Sequence, residues 1–202
     1  MNRWISAALP AAVIALAGLP SAGAAGVNSA PAPGKPAKRE AAVMIFSISS
    51  PNFAPGGEIP SKHTCEGADL SPALAWKEAP AGTKSLTLIV DDPDAPDPKA
   101  PKMTWVHWVL YNLPPGAHGL AEGIAAKDLP AGTLAGTSDY KRGTWGGPCP
   151  PIGRHRYYFK LYALDTVLPD LKNPNKVQLL KAMEGHILAQ AELLGTYEKK
   201  GK

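Results

Sequence analysis

Two histidines, a cluster of aspartates and a proline-rich loop are the residues of this sequence whose types suit chemistry. Asp91, Asp92 and Asp94 follow one apolar run, His107 lies between Trp105 and Trp108 inside a second, and His155 opens a third, two residues before Tyr157. Just ahead of His155 comes the loop Gly147-Pro148-Cys149-Pro150-Pro151-Ile152-Gly153. Imidazole and phenol groups offer hydrogen-bond donors to a ligand, and a carboxylate fixes an imidazole tautomer. The prolines stiffen the loop, and its glycines let backbone approach a ligand closely. A lone histidine on an apolar strand is ordinarily a satisfied core residue. Two histidines and two aspartates arriving from three strands read instead as a small-ligand pocket, because buried ionisable groups are costly unless paired or used.

The elements that must carry these residues are strands. Residues 85–90 (Ser-Leu-Thr-Leu-Ile-Val) form the most apolar run and predict a buried central strand, stopped by the Pro-rich 91–96. Residues 104–113 predict a second strand, with Trp105, His107, Val109 and Tyr111 on one face and Val106, Trp108 and Leu110 on the other. Residues 154–164 predict a third, with His155, Tyr157, Phe159, Leu161 and Ala163 sharing a face. Shorter strands are expected at 42–48 and 61–64. No helical pattern separates the strong strands, which argues for antiparallel pairing. One helix is expected after the cap Asn173-Pro174-Asn175, with Val177, Leu179, Leu180, Met183, Ile187, Leu188, Ala191, Leu193 and Leu194 recurring and Gly195 ending it. The expected fold is a β-sandwich-like core with this C-terminal helix packed on it.

Composition agrees with strands joined by many turns. The chain has 202 residues, with 22 Pro and 20 Gly, too many breakers for a helical bundle. A net charge of +4, dispersed along the chain, argues against nucleic acid as a partner, which calls for a clustered basic face. The N-terminus has a basic residue, Arg3, an apolar run over 5–19 and the small residues Ala22-Gly23-Ala24. That is the pattern of a cleavable signal peptide over 1–25, with Pro10 and the short apolar run arguing against a membrane span. Residues 26–40 are rich in Ala, Pro, Gly and Lys and read as a flexible linker, so the folded domain is expected at 41–202. The expected location is periplasmic or secreted, with no integral span after cleavage. In an oxidising compartment Cys65 and Cys149 are either bridged or two free thiols near the pocket, and the compartment favours the bridge.

Three blocks resemble the signatures of the phosphatidylethanolamine-binding protein family: Asp92-Pro93-Asp94-Ala95-Pro96, His107-Trp108 leading to Asn112-Leu113-Pro114, and Cys149-Pro150-Pro151 through His155-Arg156-Tyr157. Ser71-Pro72 with Trp76, and Gly185-His186-Ile187-Leu188 ahead of Gly195-Thr196-Tyr197, are similar to its bacterial, Raf-kinase-inhibitor-like branch. The resemblance implies a mainly β fold, a Greek-key antiparallel β-sandwich with a C-terminal helix, and an anion pocket for phosphate or phosphorylated headgroups. Carried over by motif position, the ligand-binding residues are Asp92, Asp94, His107, His155 and Tyr157, with Cys149, Pro150 and Pro151 as a wall and Trp105 as a further wall. It also implies a cis peptide at Ala95-Pro96, where X-Pro makes that isomer least costly. Kinase regulation does not transfer to an exported protein.

Four functions follow, in this order: binding of a small anionic or phosphorylated ligand without catalysis or cofactor; inhibition of a protease or other partner protein through exposed loops such as 114–146; hydrolysis with His107 or His155 as general base beside an aspartate; and metal binding by His107, His155 and Asp92 or Asp94. Hydrolysis lacks a Gly-x-Ser-x-Gly elbow and a nucleophile beside a base, so no catalytic residue is assigned. The metal reading lacks any short ligand spacing.

Overall fold

The protein is described from a computed structural model, which covers residues 45–201. The signal-peptide and linker expectations for 1–25 and 26–40, and the expected domain start at 41, lie outside the described residues. Strands β1 (Ser47–Ser49), β2 (Leu74–Lys77), β3 (Ser85–Ala95), β4 (Met103–Leu113), β5 (Gly119–Leu120), β6 (Leu134–Ala135) and β7 (Arg154–Leu164) come first. Helix α1 (Lys176–Met183) and strand β8 (Ile187–Glu198) close the chain. One sheet has the order β1-β2-β5 and the other β6-β4-β3-β7-β8, with every pairing antiparallel. The fold is mainly β with one α-helix among the described residues.

Both sheets contribute to one core. Ile48, Leu74 and Trp76 of the small sheet meet Leu86, Leu88, Val90, Trp108, Phe159 and Leu161 of the large one. Phe159 is fully buried and stacks on Trp145 with ring centroids 6.0 Å apart. Truncating such a ring to alanine costs about 3–5 kcal/mol. A second apolar cluster on the far face of the large sheet packs Ile89, Val109, Tyr111 and Tyr162 against Leu179 and Met183 of α1. On that face Asp91, without exposure, is held by Lys160 Nζ at 2.9 Å and by Lys176 Nζ of α1 at 2.5 Å.

Several elements depart from the sequence expectations, each for a local reason. The strand expected at 42–48 is confined to Ser47–Ser49 among the described residues, and 61–64 form a 3-10 turn at Ser61–His63 instead of a strand. Strand β3 does not stop at Val90 but runs to Ala95. Pro93 is tolerated because it falls in the irregular register between Asp92 and Ala95, where β4 does not require its missing N–H.

The strict alternation expected along β4 is broken by a bulge. Asp91 opposes Val106 and Val90 opposes Trp108, which leaves His107 as the extra residue. Val106 and Val109 therefore share the α1 face, while Trp108 and Leu110 belong to the core between the sheets.

The expected helix over 177–194 is the largest correction. Asn175 does cap α1, accepting from the Gln178 N–H at 2.9 Å while Gln178 Oε1 accepts from the Asn175 N–H at 2.9 Å. The helix nevertheless ends at Met183, and Gly185 at φ +78° turns the chain into β8. Along β8, Ala191, Leu193 and Tyr197 face the core at period two, and Gly195 is a strand residue. A Cβ on Gly195 would lie 2.7 Å from Ile59 Cγ1 and 2.9 Å from Phe53 Cε2. The C-terminal element is therefore a strand, with a short helix before it.

Candidate functional site

Strands β3, β4 and β7 end around a cavity of about 380 Å³. Trp105 and His107 share the side that period two assigns them, and the bulge at His107 is what brings Trp108 to the core side as well. From β3 come Asp92 and Ala95, from β4 Met103, Trp105 and His107, and from β7 His155 and Tyr157. Cys149, Pro150 and Pro151 form one wall, and Pro96, after a cis Ala95-Pro96 peptide, forms another.

His107 is 2% exposed, and its Nδ1 donates to the Gly146 carbonyl at 2.6 Å. That bond puts the hydrogen of the neutral ring on Nδ1 and leaves a lone pair on Nε2. Burial pushes the His107 pKa below the ordinary histidine value, against smaller opposing effects from the Gly146 carbonyl and Asp92. Among the described residues His107 Nε2 has no hydrogen-bond partner, and neither has the Tyr157 hydroxyl or Trp105 Nε1. The Tyr157 hydroxyl is kept protonated by burial, which raises its pKa, with Asp92 adding to the effect. Three buried polar atoms on cavity residues are thus unsatisfied by the protein, at a cost of about 1–3 kcal/mol each.

His155 and Asp92 behave differently. His155 Nδ1 lies 2.6 Å from Asp92 Oδ2 and its Nε2 lies 3.0 Å from the Ile152 carbonyl. Two acceptors facing one imidazole are both satisfied only when both nitrogens carry hydrogen. The other Asp92 oxygen accepts the Asp94 N–H at 2.8 Å. This pair is therefore a closed unit that shapes the cavity, and neither His155 nitrogen is free for a ligand.

Asp94 does not line the cavity. Arg156 Nε and Nη2 grip its carboxylate at 2.9 and 2.7 Å, and the Arg156 hydrogen bonds hold its pKa below the usual carboxylate range. Of the residues singled out from the sequence, Asp92, Trp105, His107, Cys149, Pro150, Pro151, His155 and Tyr157 meet at the cavity, and Asp94 stands behind it. Cys149 is joined to Cys65 by a disulfide, with Cα atoms 5.4 Å apart.

Sequence reading missed Tyr140, whose ring packs edge-on to both Trp105 and His107 at centroid distances of 5.5 and 5.6 Å. Its hydroxyl donates to the Gly147 carbonyl at 2.9 Å. It also missed Asp69, which accepts the Gly147 N–H at 2.7 Å and pairs with Arg142 Nη2 at 2.9 Å. These contacts fix the turn that presents the Gly146 carbonyl to His107. The signal the sequence offered was the pair Gly146-Gly147, and the structure shows why it is needed: a Cβ on Gly146 would lie 2.2 Å from the Tyr140 ring.

The remaining chemistries find less support. No nucleophile stands beside the His155–Asp92 pair among the residues lining the cavity. Among the described residues no group of three or more His, Cys, Asp or Glu is placed to hold a metal ion. No helix among them is long and apolar enough to cross a membrane.

Comparison with known proteins points one way. The family model described as phosphatidylethanolamine-binding protein matches residues 49–198. A UPF0098 protein of Methanothermobacter thermautotrophicus is 47% identical over 148 residues, covering 73% of this chain and 95% of that protein. A Chlamydia trachomatis crystal structure, described as a phosphatidylethanolamine-binding protein homolog, superposes with TM-score 0.70 at 44% identity, covering 77% of this chain and 98% of that one. E. coli YbcL, described as a member of the mammalian PEBP family, gives TM-score 0.69 at 31% identity, covering 77% and 99%.

Proposed function

This chain belongs to the phosphatidylethanolamine-binding protein family, and from that premise we propose that it binds a small phosphorylated ligand, phosphate or a phosphate ester headgroup, in the cavity around His107. The observation that carries this reading is the set of unsatisfied buried atoms on cavity residues: His107 Nε2, the Tyr157 hydroxyl and Trp105 Nε1. The hydroxyl and the indole N–H offer two donors to phosphoryl oxygens. Neutral His107 offers an acceptor for a protonated phosphoryl oxygen, or takes up that proton and becomes a third donor. The Asp92 carboxylate with its His155 partner, and Lys102 beside them, put both signs of charge around the cavity. A zwitterionic phosphoethanolamine suits that mixture of charge.

Binding without catalysis is the preferred form, because the His–Asp pair in the site is already closed on itself. The two sheets are read, on the family premise, as halves of a Greek-key sandwich. Export to the periplasm or medium, carried by residues 1–25, is part of the same proposal and places the ligand outside the cytoplasm.

The test is a two-dimensional NMR titration of the tryptophan indole N–H signals with phosphoethanolamine. Trp76 and Trp145 indoles donate to the Ala117 and His63 carbonyls, at 2.6 and 3.2 Å, and serve as internal controls. A saturable shift of the Trp105 signal with those two unmoved supports the reading. A Trp105 signal that stays fixed at millimolar ligand overturns it.

A further inference from the structure

A disulfide fastens the cavity wall. Cys65 and Cys149 are both exposed residues, and Cys149 itself lines the cavity. We propose that the Cys65–Cys149 bridge is a thiol–disulfide exchange site whose reduction loosens the wall and weakens ligand binding while the rest of the domain stays folded. The inference rests on the ligand-binding reading for its affinity arm and on geometry alone for its structural arm.

Contacts on the two sides of Cys149 are unequal. Upstream, the loop is held independently of the bridge: the Cys65 N–H donates to the Pro148 carbonyl at 3.1 Å, Asp69 holds the Gly147 N–H, and the Trp145 indole donates to the His63 carbonyl. The Gly146 carbonyl, and with it the orientation of His107, belongs to this upstream half. Downstream, Pro150 and Pro151 have no N–H to donate. Between Cys149 and the start of β7 at Arg154, the contact that fixes the backbone is His155 Nε2 to the Ile152 carbonyl. Opening the bridge therefore leaves the wall held by the packing of Pro150 and the Ile152 contact alone, with the strands and the His107 anchor in place.

The chemistry balances with a dithiol as co-reactant. Its thiolate attacks one sulfur of the bridge, forms a mixed disulfide and releases the other cysteine as a thiolate, which takes a proton. The second thiol of the dithiol then displaces the remaining cysteine, and the reagent leaves as its own disulfide. Two electrons and two protons pass to Cys65 and Cys149.

The experiment compares the oxidised domain, the domain reduced with dithiothreitol, and Cys65→Ser, a change outside the cavity lining. Backbone 15N relaxation (the heteronuclear NOE) is followed at Cys149, Ile152 and Gly153, and hydrogen exchange at the amides of β3 and β7, alongside calorimetric titration with inorganic phosphate. Expected are a clear fall of the NOE at the three wall residues, strand amides that stay protected, and phosphate affinity weakened by at least ~10-fold, reversed on reoxidation of the native pair. An unchanged NOE at the wall after full reduction overturns the inference, as does complete loss of protection across the strands, which makes the bridge a global staple. A wall NOE that falls with phosphate affinity unchanged overturns the link to binding. If the oxidised protein takes up no phosphate, the ligand reading fails, and the relaxation arm still decides the mobility of the wall.

Discussion

Replacing Asp92 separates a closed ion pair from a merely polar cavity floor. Asp92 and His155 are 3% and 1% exposed, and the carboxylate accepts both from His155 Nδ1 and from the Asp94 N–H. Asp92→Ala leaves two buried donors without acceptors, and removing one partner of a buried pair costs about 3–5 kcal/mol. Asp92→Asn has a way out. Its carbonyl oxygen keeps the Asp94 N–H, and its amide donates to a neutral His155 that carries its hydrogen on Nε2 and still binds Ile152. What is lost is the charge assistance, about 1–2 kcal/mol. In a domain of this size each kcal/mol moves the midpoint by about 2–4 °C. Alanine should therefore lower Tm by about 6–20 °C and asparagine by about 2–8 °C, read by reversible calorimetric unfolding at pH 7.5. Equal losses in the two variants, or a loss below about 1 kcal/mol for alanine, would refute the closed-pair argument.

Two further predictions concern the fold and its pH response. Gly195→Ala should destabilise by about 1–3 kcal/mol in urea unfolding, since the added methyl meets Ile59 and Phe53; stabilisation, the outcome for an exposed helical glycine, would contradict the strand. His107 and His63 are buried with pKa values lowered by burial, so the unfolded chain binds more protons below about pH 6.5. The stability these two rings contribute should accordingly be fully present above that value and be lost as pH drops from 6.5 to 5, ahead of carboxylate titration; a urea midpoint that holds or rises over this window would count against it.

The three long strands were legible because their burial is extreme: β3 and β7 carry apolar side chains where the pattern demands them, and His155 and Tyr157 share the face that period two assigns. The wall loop was legible for the same reason as any turn, through its prolines and glycines. The bulge at His107 was not, because an inserted residue changes which face the next side chain takes without changing composition. Strand β8 was hidden by the doublets Ile187-Leu188 and Leu193-Leu194, which mimic helical spacing. Its alternation is carried by the small residues Ala189, Ala191 and Gly195, and packing against Phe53 and Ile59 requires the glycine at 195. Asp94 was misplaced relative to the cavity because motif position does not reveal that Arg156 turns the carboxylate away.

On the proposed reading, a phosphoryl group completes the unsatisfied atoms around His107. The most direct test of that reading is calorimetric titration of the oxidised domain with inorganic phosphate, in the natural protein, in His107→Ala and in Tyr157→Phe. The Tyr157 hydroxyl has no protein partner, so Tyr157→Phe should unfold at the same temperature or higher while binding phosphate at least ~10-fold more weakly. His107→Ala should weaken binding at least as much. Saturable binding with those two losses is the predicted result; no binding at millimolar phosphate, or equal affinity in all three proteins, contradicts the account.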